Sequence, residues 1–386
     1  MVARPAAPAP AAGRGIPTRW LARLKAEWLL LVFAALTLAL AWLDPQPLAS
    51  WLRWLQVPTL AGLTGLLIAI QGIRDSGLVQ HAAGALAART HSLRSLGLLL
   101  VTATALLSMV LTNDVSLFLL VPLTVAIGGL SNLPVLRMVV LEALAVNAGS
   151  TLSPIGNPQN LLLWQHGQLP FLQFVAAMLP AAAVMFALVA ALTFAWVPGE
   201  RMVLAPEALD DGRVAKPLAM LALIALVAMV VLMEYGHALL GAALLLAVFA
   251  LAARGSLARL DWLLLLTFAV IFLSLGHLAD LPWVRHALDR VDFNQPLHLY
   301  LAGILASQLI SNVPATVLLL DRARDPIALA VAVNVGGFGL AIGSLANLIA
   351  LRLARQPQGL RQLHRVSIPF LLVCAPLVYP IWRWLG

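Results

Sequence analysis

Apolar residues run along this chain in long blocks, divided by short polar punctuation, from residue 28 to residue 385. Uninterrupted blocks cover 28–43, 55–73, 169–197, 218–234, 238–253, 261–278 and 366–385. A hydrocarbon core about 30 Å thick is crossed by a helix of roughly 20 such residues, so each block predicts a spanning or near-spanning helix. Four further blocks are interrupted. Residues 98–130 break at Thr112-Asn113-Asp114, and residues 136–166 break from Ser150 to Pro158. Residues 296–320 break at Ser311-Asn312-Val313-Pro314, and residues 327–351 break at Gly336-Gly337-Phe338-Gly339 and again at Gly343-Ser344. Both halves repeat one order of parts: a helix, a stretch broken at an Asn, a stretch broken by glycines and ending in a second Asn, then a helix.

The interrupted blocks can be sized. After Asn312 the apolar run Val313 to Leu320 ends at Asp321-Arg322, and at 1.5 Å per residue it reaches only about 12 Å. A segment too short to cross must turn back inside the protein, because irregular backbone is not tolerated against lipid. Residues 296–320 therefore predict a re-entrant hairpin. Residues 98–130 are its counterpart by position, with arms of about 15 residues; two complete crossings joined by a tight turn are the alternative there.

Charge placement supports this layout. With the N-terminus in the cytoplasm, Arg53, Arg285, Arg290, Arg322, Arg324 and Arg383 fall outside, which leaves 18 of the 24 Lys and Arg residues on the cytoplasmic side. The expected architecture is an all-α polytopic membrane protein of two inverted repeats, each with a re-entrant helical hairpin and a broken transmembrane helix. A basic tail covers 1–27. The first repeat covers 28–197, with its hairpin at 98–130 and its broken helix at 136–166. Residues 198–234 form a cytoplasmic linker and an extra crossing, and the second repeat covers 235–386, with its hairpin at 296–320 and its broken helix at 327–351. The basic start followed by an apolar run also fits a secretory signal with Pro47-Leu48-Ala49-Ser50 as a weak cleavage site; an uncleaved first crossing agrees better with the polytopic remainder. Residues 78–95 read as an amphipathic surface helix or a solvated loop.

Composition narrows the function classes. Hydrophobic residues make up 62% of the chain and charged residues 10%, far from the roughly 25% charged share of soluble domains. The net charge of +8 then reads as the Lys/Arg excess of cytoplasmic loops, not as a nucleic-acid surface. One cysteine, Cys374, excludes disulfides and Cys-based zinc sites. The histidines fall at loops and helix ends without metal spacing, the tryptophans suit an interfacial belt, and no phosphate-cradling loop supports an ATP-driven pump.

Chemistry concentrates at the breaks. Inverted repeats with discontinuous helices are the layout of secondary transporters, whose broken ends face a midplane substrate and its coupling ion. The first candidate site sets the tip Asn113-Asp114 against the break from Asn147 to Asn160, with Asn147, Ser150, Thr151, Ser153, Gly156 and Asn157 as its candidate ligands. The second joins Ser311-Asn312 to Asn334, Gly339, Gly343, Ser344 and Asn347. Amides, hydroxyls and freed carbonyls suit a hard cation such as sodium. Close helix packing through small residues is the competing explanation. Asp114 and Glu142 are acids inside apolar stretches and so candidates for proton coupling; Glu142 also stands five residues after Arg137, which allows a plain packing role. No Cys, His or carboxylate cluster calls for a resident cofactor, so sodium or a proton is the one ion expected.

Four segments carry a resemblance: LTNDVSLFLLVPLTVAI (111–127), EALAVNAGSTLSPIGNPQNLL (142–162), SQLISNVPATVLLL (307–320) and NVGGFGLAIGSLANLIALR (334–352). Together and in this order they resemble the ion transporter superfamily, which holds arsenite permeases, sodium/proton antiporters, citrate transporters and divalent-anion/sodium symporters. Bacterial inner-membrane permeases of the YbiR type are the most similar group. The resemblance implies substrate and sodium roles for Asn113 and Asn312 and for the breaks at Gly156, Asn157, Gly343 and Asn347. The symporters carry Ser-Asn-Thr at each tip, whereas the tips here are Thr-Asn-Asp and Ser-Asn-Val; an Asn-Asp tip is more like the arsenite permeases. The expected function is ion-coupled transport of a small inorganic or carboxylate anion, or of arsenite, across a bacterial inner membrane, with sodium/proton exchange as an alternative. Relatives imply a homodimer. An intramembrane enzyme is disfavoured, since no histidine stands deep enough to serve the buried serines.

Overall fold

The computed structural model describes residues 28–78, 81, 92–129, 131–201, 214–354 and 358–385. The basic tail 1–27 and most of the segment 78–95 lie outside the described residues. Among the described residues all extended regular structure is helical.

The first half comprises α1 (Trp28–Leu43), the short α2 (Leu48–Trp54), α3 (Val57–Asp75), α4 (Leu93–Leu111), α5 (Asn113–Gly129), α6 (Val135–Ser150), α7 (Pro158–Gly167) and α8 (Phe171–Trp196). α9 (Lys216–Glu234) follows. The second half comprises α10 (Ala238–Ala252), α11 (Arg254–Ala258), α12 (Trp262–Asp280), α13 (Pro282–Leu288), α14 (Pro296–Ile310), α15 (Asn312–Leu319), α16 (Pro326–Val335), α17 (Leu345–Ala354) and α18 (Gly359–Leu385). Six of these helices, α3, α4, α8, α9, α12 and α18, are long and apolar enough to cross a membrane. Large apolar side chains stand exposed along their outer faces, Ile224, Val227 and Leu179 among them. In water such a surface drives association; around a spanning bundle it is what lipid covers.

Contacts at the helix ends fix which ends share a face. Arg53 pairs with Asp280, His277 bonds Asp44 at 3.0 Å, the Phe171 N–H donates to Glu234 at 2.8 Å, and Arg322 pairs with Asp289. On the opposite face Arg259 pairs with Asp75 at 2.9 Å, the Leu93 N–H donates to the Glu200 carbonyl at 3.0 Å, and the Ala215 N–H donates to the Ser76 carbonyl at 2.9 Å. The α4–α5 pair starts and ends on the Asp75 face, and the α14–α15 pair starts and ends on the Asp280 face. Each hairpin therefore enters and leaves by one face, the two from opposite sides, and each turns on a buried tip, at Thr112 and at Ser311.

The arms differ from the expected lengths. α4 starts at Leu93, because Ser92 caps it: its hydroxyl accepts the Ser95 N–H at 3.1 Å and Ser95 answers onto the Ser92 N–H at 3.3 Å. The arms are thus 19 and 17 residues, about 28 and 25 Å. α15, at 8 residues, has the short reach expected of it. The last helix starts at Gly359, which places Arg361, His364 and Arg365 on it.

Packing follows the inversion. α3 lies against α10 as α12 lies against α1, α4 against α6 as α14 against α16, and α5 against α17 as α15 against α7. Two bodies result. One holds α1–α3 and α9–α12, where Gly65 lets Met229 of α9 approach so closely that a Cβ would sit 2.3 Å from its sulfur. The other holds both hairpins, both broken helices, α8 and α18.

Candidate functional site

The two hairpin tips share an unusual backbone. Thr112 has φ 71° and ψ 157°, and Ser311 has φ 77° and ψ 156°, a region that side chains other than hydrogen strongly disfavour. The following asparagines, Asn113 and Asn312, open α5 and α15. Each side-chain Oδ1 accepts the next N–H, from Asp114 at 2.9 Å and from Val313 at 2.9 Å. That bond settles the amide orientation, so the group each tip asparagine has left to offer is its NH2 donor.

The first break, between α6 and α7, is folded by its own side chains. Asn157 caps α7, its Oδ1 accepting the Asn160 N–H at 2.8 Å, while its Nδ2 donates to the Ser150 carbonyl at 3.2 Å and hydroxyl at 3.1 Å. The Asn160 Nδ2 donates to the carbonyls of Ser150, Thr151 and Ser153 at 3.0–3.1 Å. Thr151 and Ser150 return their hydroxyls to the Asn147 carbonyl, and the Ser153 hydroxyl accepts the Ile155 N–H. Gly156 is required by close approach: a Cβ there would lie 2.3 Å from the Ser150 carbonyl oxygen. Its own carbonyl accepts the Asn113 N–H at 2.9 Å, which seats the first tip on the first break.

The second break, between α16 and α17, is held from outside. Gln308 of α14 donates from Nε2 to the carbonyls of Gly336 at 2.6 Å and Phe338 at 2.9 Å, and its Oε1 accepts the Leu340 N–H at 2.8 Å. From α18, the Ser367 hydroxyl accepts the Gly339 N–H at 2.8 Å and His364 Nε2 accepts the Ala341 N–H at 3.0 Å. Gly339 has φ 94°, and a Cβ on Gly343 would meet the Gly336 oxygen at 2.7 Å.

Two amide pairs bind the breaks to each other. Asn147 donates to Asn347 at 3.1 Å, and Asn334 donates to Asn160 at 2.6 Å and accepts from Asn157 at 2.9 Å. Asn147 and Asn160 have the same spacing in their break as Asn334 and Asn347 in theirs, each set within a Val-Asn-x-Gly start and an Ile-Gly turn. The two bonds are therefore one contact made twice across the pseudo-two-fold. Around them Ser311 Oγ, Ser344 Oγ, Asn312 Nδ2 and Gln159 Oε1 are buried without a partner.

Asp114 borders a cavity of about 810 Å³ that opens on the Asp75 face, lined by Gln71, Arg74 and Asp75 of α3, Phe118 of α5, Asp261, and Arg352 of α17. At that cavity α3 and α5 stand apart, whereas their counterparts α12 and α15 pack together on the other face. Glu142 lies elsewhere. It is fully buried, accepts the Thr124 hydroxyl of α5 and does not line the cavity. Nor does it pair with Arg137, which donates to the Trp196 carbonyl at 3.3 Å and covers the Trp196 ring.

The structure thus gathers Asn113, Asn147, Ser150, Thr151, Ser153, Gly156, Asn157, Ser311, Asn312, Asn334, Gly339, Gly343, Ser344 and Asn347 at the two tips and breaks. Sequence reasoning enclosed Gln159 and Asn160 in the first break without giving either a role, and it missed Gln308, Ser367 and His364, which hold the second break. The matched Asn spacing of the two breaks was the signal for Asn160; no local pattern marks Gln308.

Opposed hairpins seated on broken helices define the protein as a membrane transporter of inverted-repeat design. The comparisons agree. A model of the citrate transporter family matches residues 21–326, so the chain belongs to that family. It is 39% identical over 348 residues to the inner membrane protein YbiR of Escherichia coli, covering 89% of this chain and 92% of that one. It is 30% identical to the uncharacterized transporter MJ0456 of Methanocaldococcus jannaschii, over 83% and 86% of the two chains. In fold it is similar to the YdaH transporter of Alcanivorax borkumensis, with a TM-score of 0.53, 17% identity, and coverage of 94% and 98%.

Proposed function

We propose that this protein is an ion-coupled secondary transporter of a small anion or oxyanion, working by alternating access from a bacterial inner membrane with its N-terminus in the cytoplasm. The observation that carries the reading is the one-sided opening: the cavity reaches Asp114 from the Asp75 face, while hairpin arm α15 closes on α12 at the other face. Interconverting those two arrangements exposes the tips to each side in turn. Donors favour an anion. The NH2 groups of Asn113 and Asn312, the free hydroxyls of Ser311 and Ser344, and the N-terminal ends of α5, α7, α15 and α17 all lie at the tips and breaks.

Efflux of a metalloid hydroxide is a second reading. It draws on a silicon efflux transporter of Oryza sativa, 30% identical over 127 residues, which cover 33% of this chain and 26% of that one. Thermal-shift titration with citrate, succinate, sulfate and arsenite tests both. One of these ligands raises the melting midpoint, and Asn312→Ala removes that rise. An undiminished rise in the folded Asn312→Ala protein contradicts the assigned site.

A further inference from the structure

From α18 two side chains one turn apart grip the second break, and they differ in chemistry. The Ser367 hydroxyl accepts the Gly339 N–H at 2.8 Å, and His364 Nε2 accepts the Ala341 N–H at 3.0 Å. A hydroxyl keeps its lone pairs across the physiological pH range. An imidazole nitrogen accepts only while it is unprotonated, so the bond to Ala341 fixes the ring as the neutral tautomer with its proton on Nδ1. A second proton on Nε2 turns the acceptor into a donor, and two N–H groups then face each other.

Ala341 opens the short 3₁₀ turn Ala341–Gly343 that leads into Ser344 and Asn347. Asn347 in turn accepts from Asn147 of the first break and donates to the Gly337 carbonyl at 3.0 Å. A change at His364 is thereby passed to the amide contact between the repeats. The first break has no such handle. Asn157 and Asn160 fold it, and α8, which follows it as α18 follows the second, carries no titratable side chain. His364 stands half-buried in the second turn of α18, near the end of α17 where Arg352 lines the cavity on the Asp75 face. That places it within reach of protons from that face.

Few charged or titratable groups surround the ring. Arg361 and Arg365 flank it on α18. Of the elements packed against α18, α6 brings Arg137 and Glu142 and α17 brings Arg352, whereas α8, α16 and the 3₁₀ turn bring none. α14, which packs on the same turn, has His298 and Tyr300 only at its far end, where Tyr300 bonds the Ala375 carbonyl. Among the described residues no carboxylate pairs with the ring, so no ion pair compensates for the bond that protonation breaks.

We propose that His364 is a proton-operated latch on the second break. Neutral, it fixes Ala341 and with it Ser344 and Asn347; protonated from the Asp75 face, it lets go and the second tip-and-break site loosens. This deepens the transporter reading, on which the meaning of the site rests, by naming a proton-dependent control of that site.

Hydrogen exchange, read by mass spectrometry on the purified full chain in detergent with no ligand added, tests the latch at pH 8 and pH 5.5, the range in which imidazole changes charge. Relative to intrinsic exchange, protection over 339–347 is expected to fall about tenfold at the acid pH, the weight of one buried hydrogen bond, while protection over 151–157 in the first break holds. His364→Gln, whose amide oxygen accepts the Ala341 N–H at both pH values, abolishes the fall, and His364→Phe shows low protection at both. Flat protection in the wild-type chain overturns the proposal without need of a variant. So does an equal fall in His364→Gln, or an equal fall at the first break. Because no ligand is present, a protein that answers to none of the screened anions contradicts the transporter reading alone.

Discussion

Backbone strain at Thr112 and Ser311 is the smallest feature with a functional meaning. Each residue sits in a region that costs of order 1–3 kcal/mol for a side-chain-bearing residue, and the two do so with φ and ψ within a few degrees of each other. The strain turns each chain so that the next asparagine both starts a helix and keeps its NH2 free. Thr112→Gly and Ser311→Gly are expected to stabilise the fold by up to that free energy each, read as a higher melting midpoint, while lowering uptake in proteoliposomes. Unchanged stability in both variants contradicts the strain account. The bonds Asn147–Asn347 and Asn334–Asn160 make a second residue-scale prediction. Alanine double-mutant cycles on the two pairs are expected to give coupling energies of similar size, about 0.5–3 kcal/mol each, because they are one contact repeated.

Among elements, the hairpins and broken helices are legible in the sequence for a definite reason. Proline alone is carried inside unbroken helices here, as Pro180 is in α8 and Pro369 in α18. Asn clustered with Gly, Ser and Pro inside an apolar run is costly against lipid, so such a cluster marks where the chain turns inward. The eight-residue arm after Ser311 is readable by length alone. The first hairpin is less legible, because its start depends on a side-chain cap at Ser92 that hydropathy does not register. The grouping of the breaks is visible as the positional echo of the two halves, but the partner of each amide is not. Asn147 chooses Asn347 of the other repeat, 200 positions away, and no local pattern encodes that. Gln308 is the clearest omission, an ordinary helical glutamine whose three bonds hold the second break. Gln308→Leu strands the Gly336 and Phe338 carbonyls and is expected to cost about 1–3 kcal/mol per unsatisfied group, read as a lower melting midpoint. Gln308→Glu, which keeps Oε1 for the Leu340 N–H but loses the donor, is expected to recover only part of it.

At the scale of the whole molecule, two ion pairs show the inversion most plainly. Asp75 and Asp280 each close a 19-residue helix, and each pairs with an arginine that lies just ahead of the other helix, Arg259 and Arg53. Hydrogen bonding to Asp75 holds the Arg259 guanidinium above its ordinary range. Such exposed clasps contribute little stability; they report that α3 and α12 are equivalent walls, one facing an open cavity and one facing a closed arm. The central claim is that two hairpins dip from opposite faces into that arrangement. Cys374 is the chain's sole cysteine and is fully buried, so single introduced thiols can be labelled against little background. The most direct measurement is therefore the sidedness of an impermeant maleimide on Val115→Cys, at the cavity on the Asp75 face, and on Leu318→Cys, at the pocket beside Arg322 on the Asp280 face. Labelling of Val115→Cys from the cytoplasmic side and of Leu318→Cys from the opposite side is the predicted result. Labelling of both from one side would contradict it.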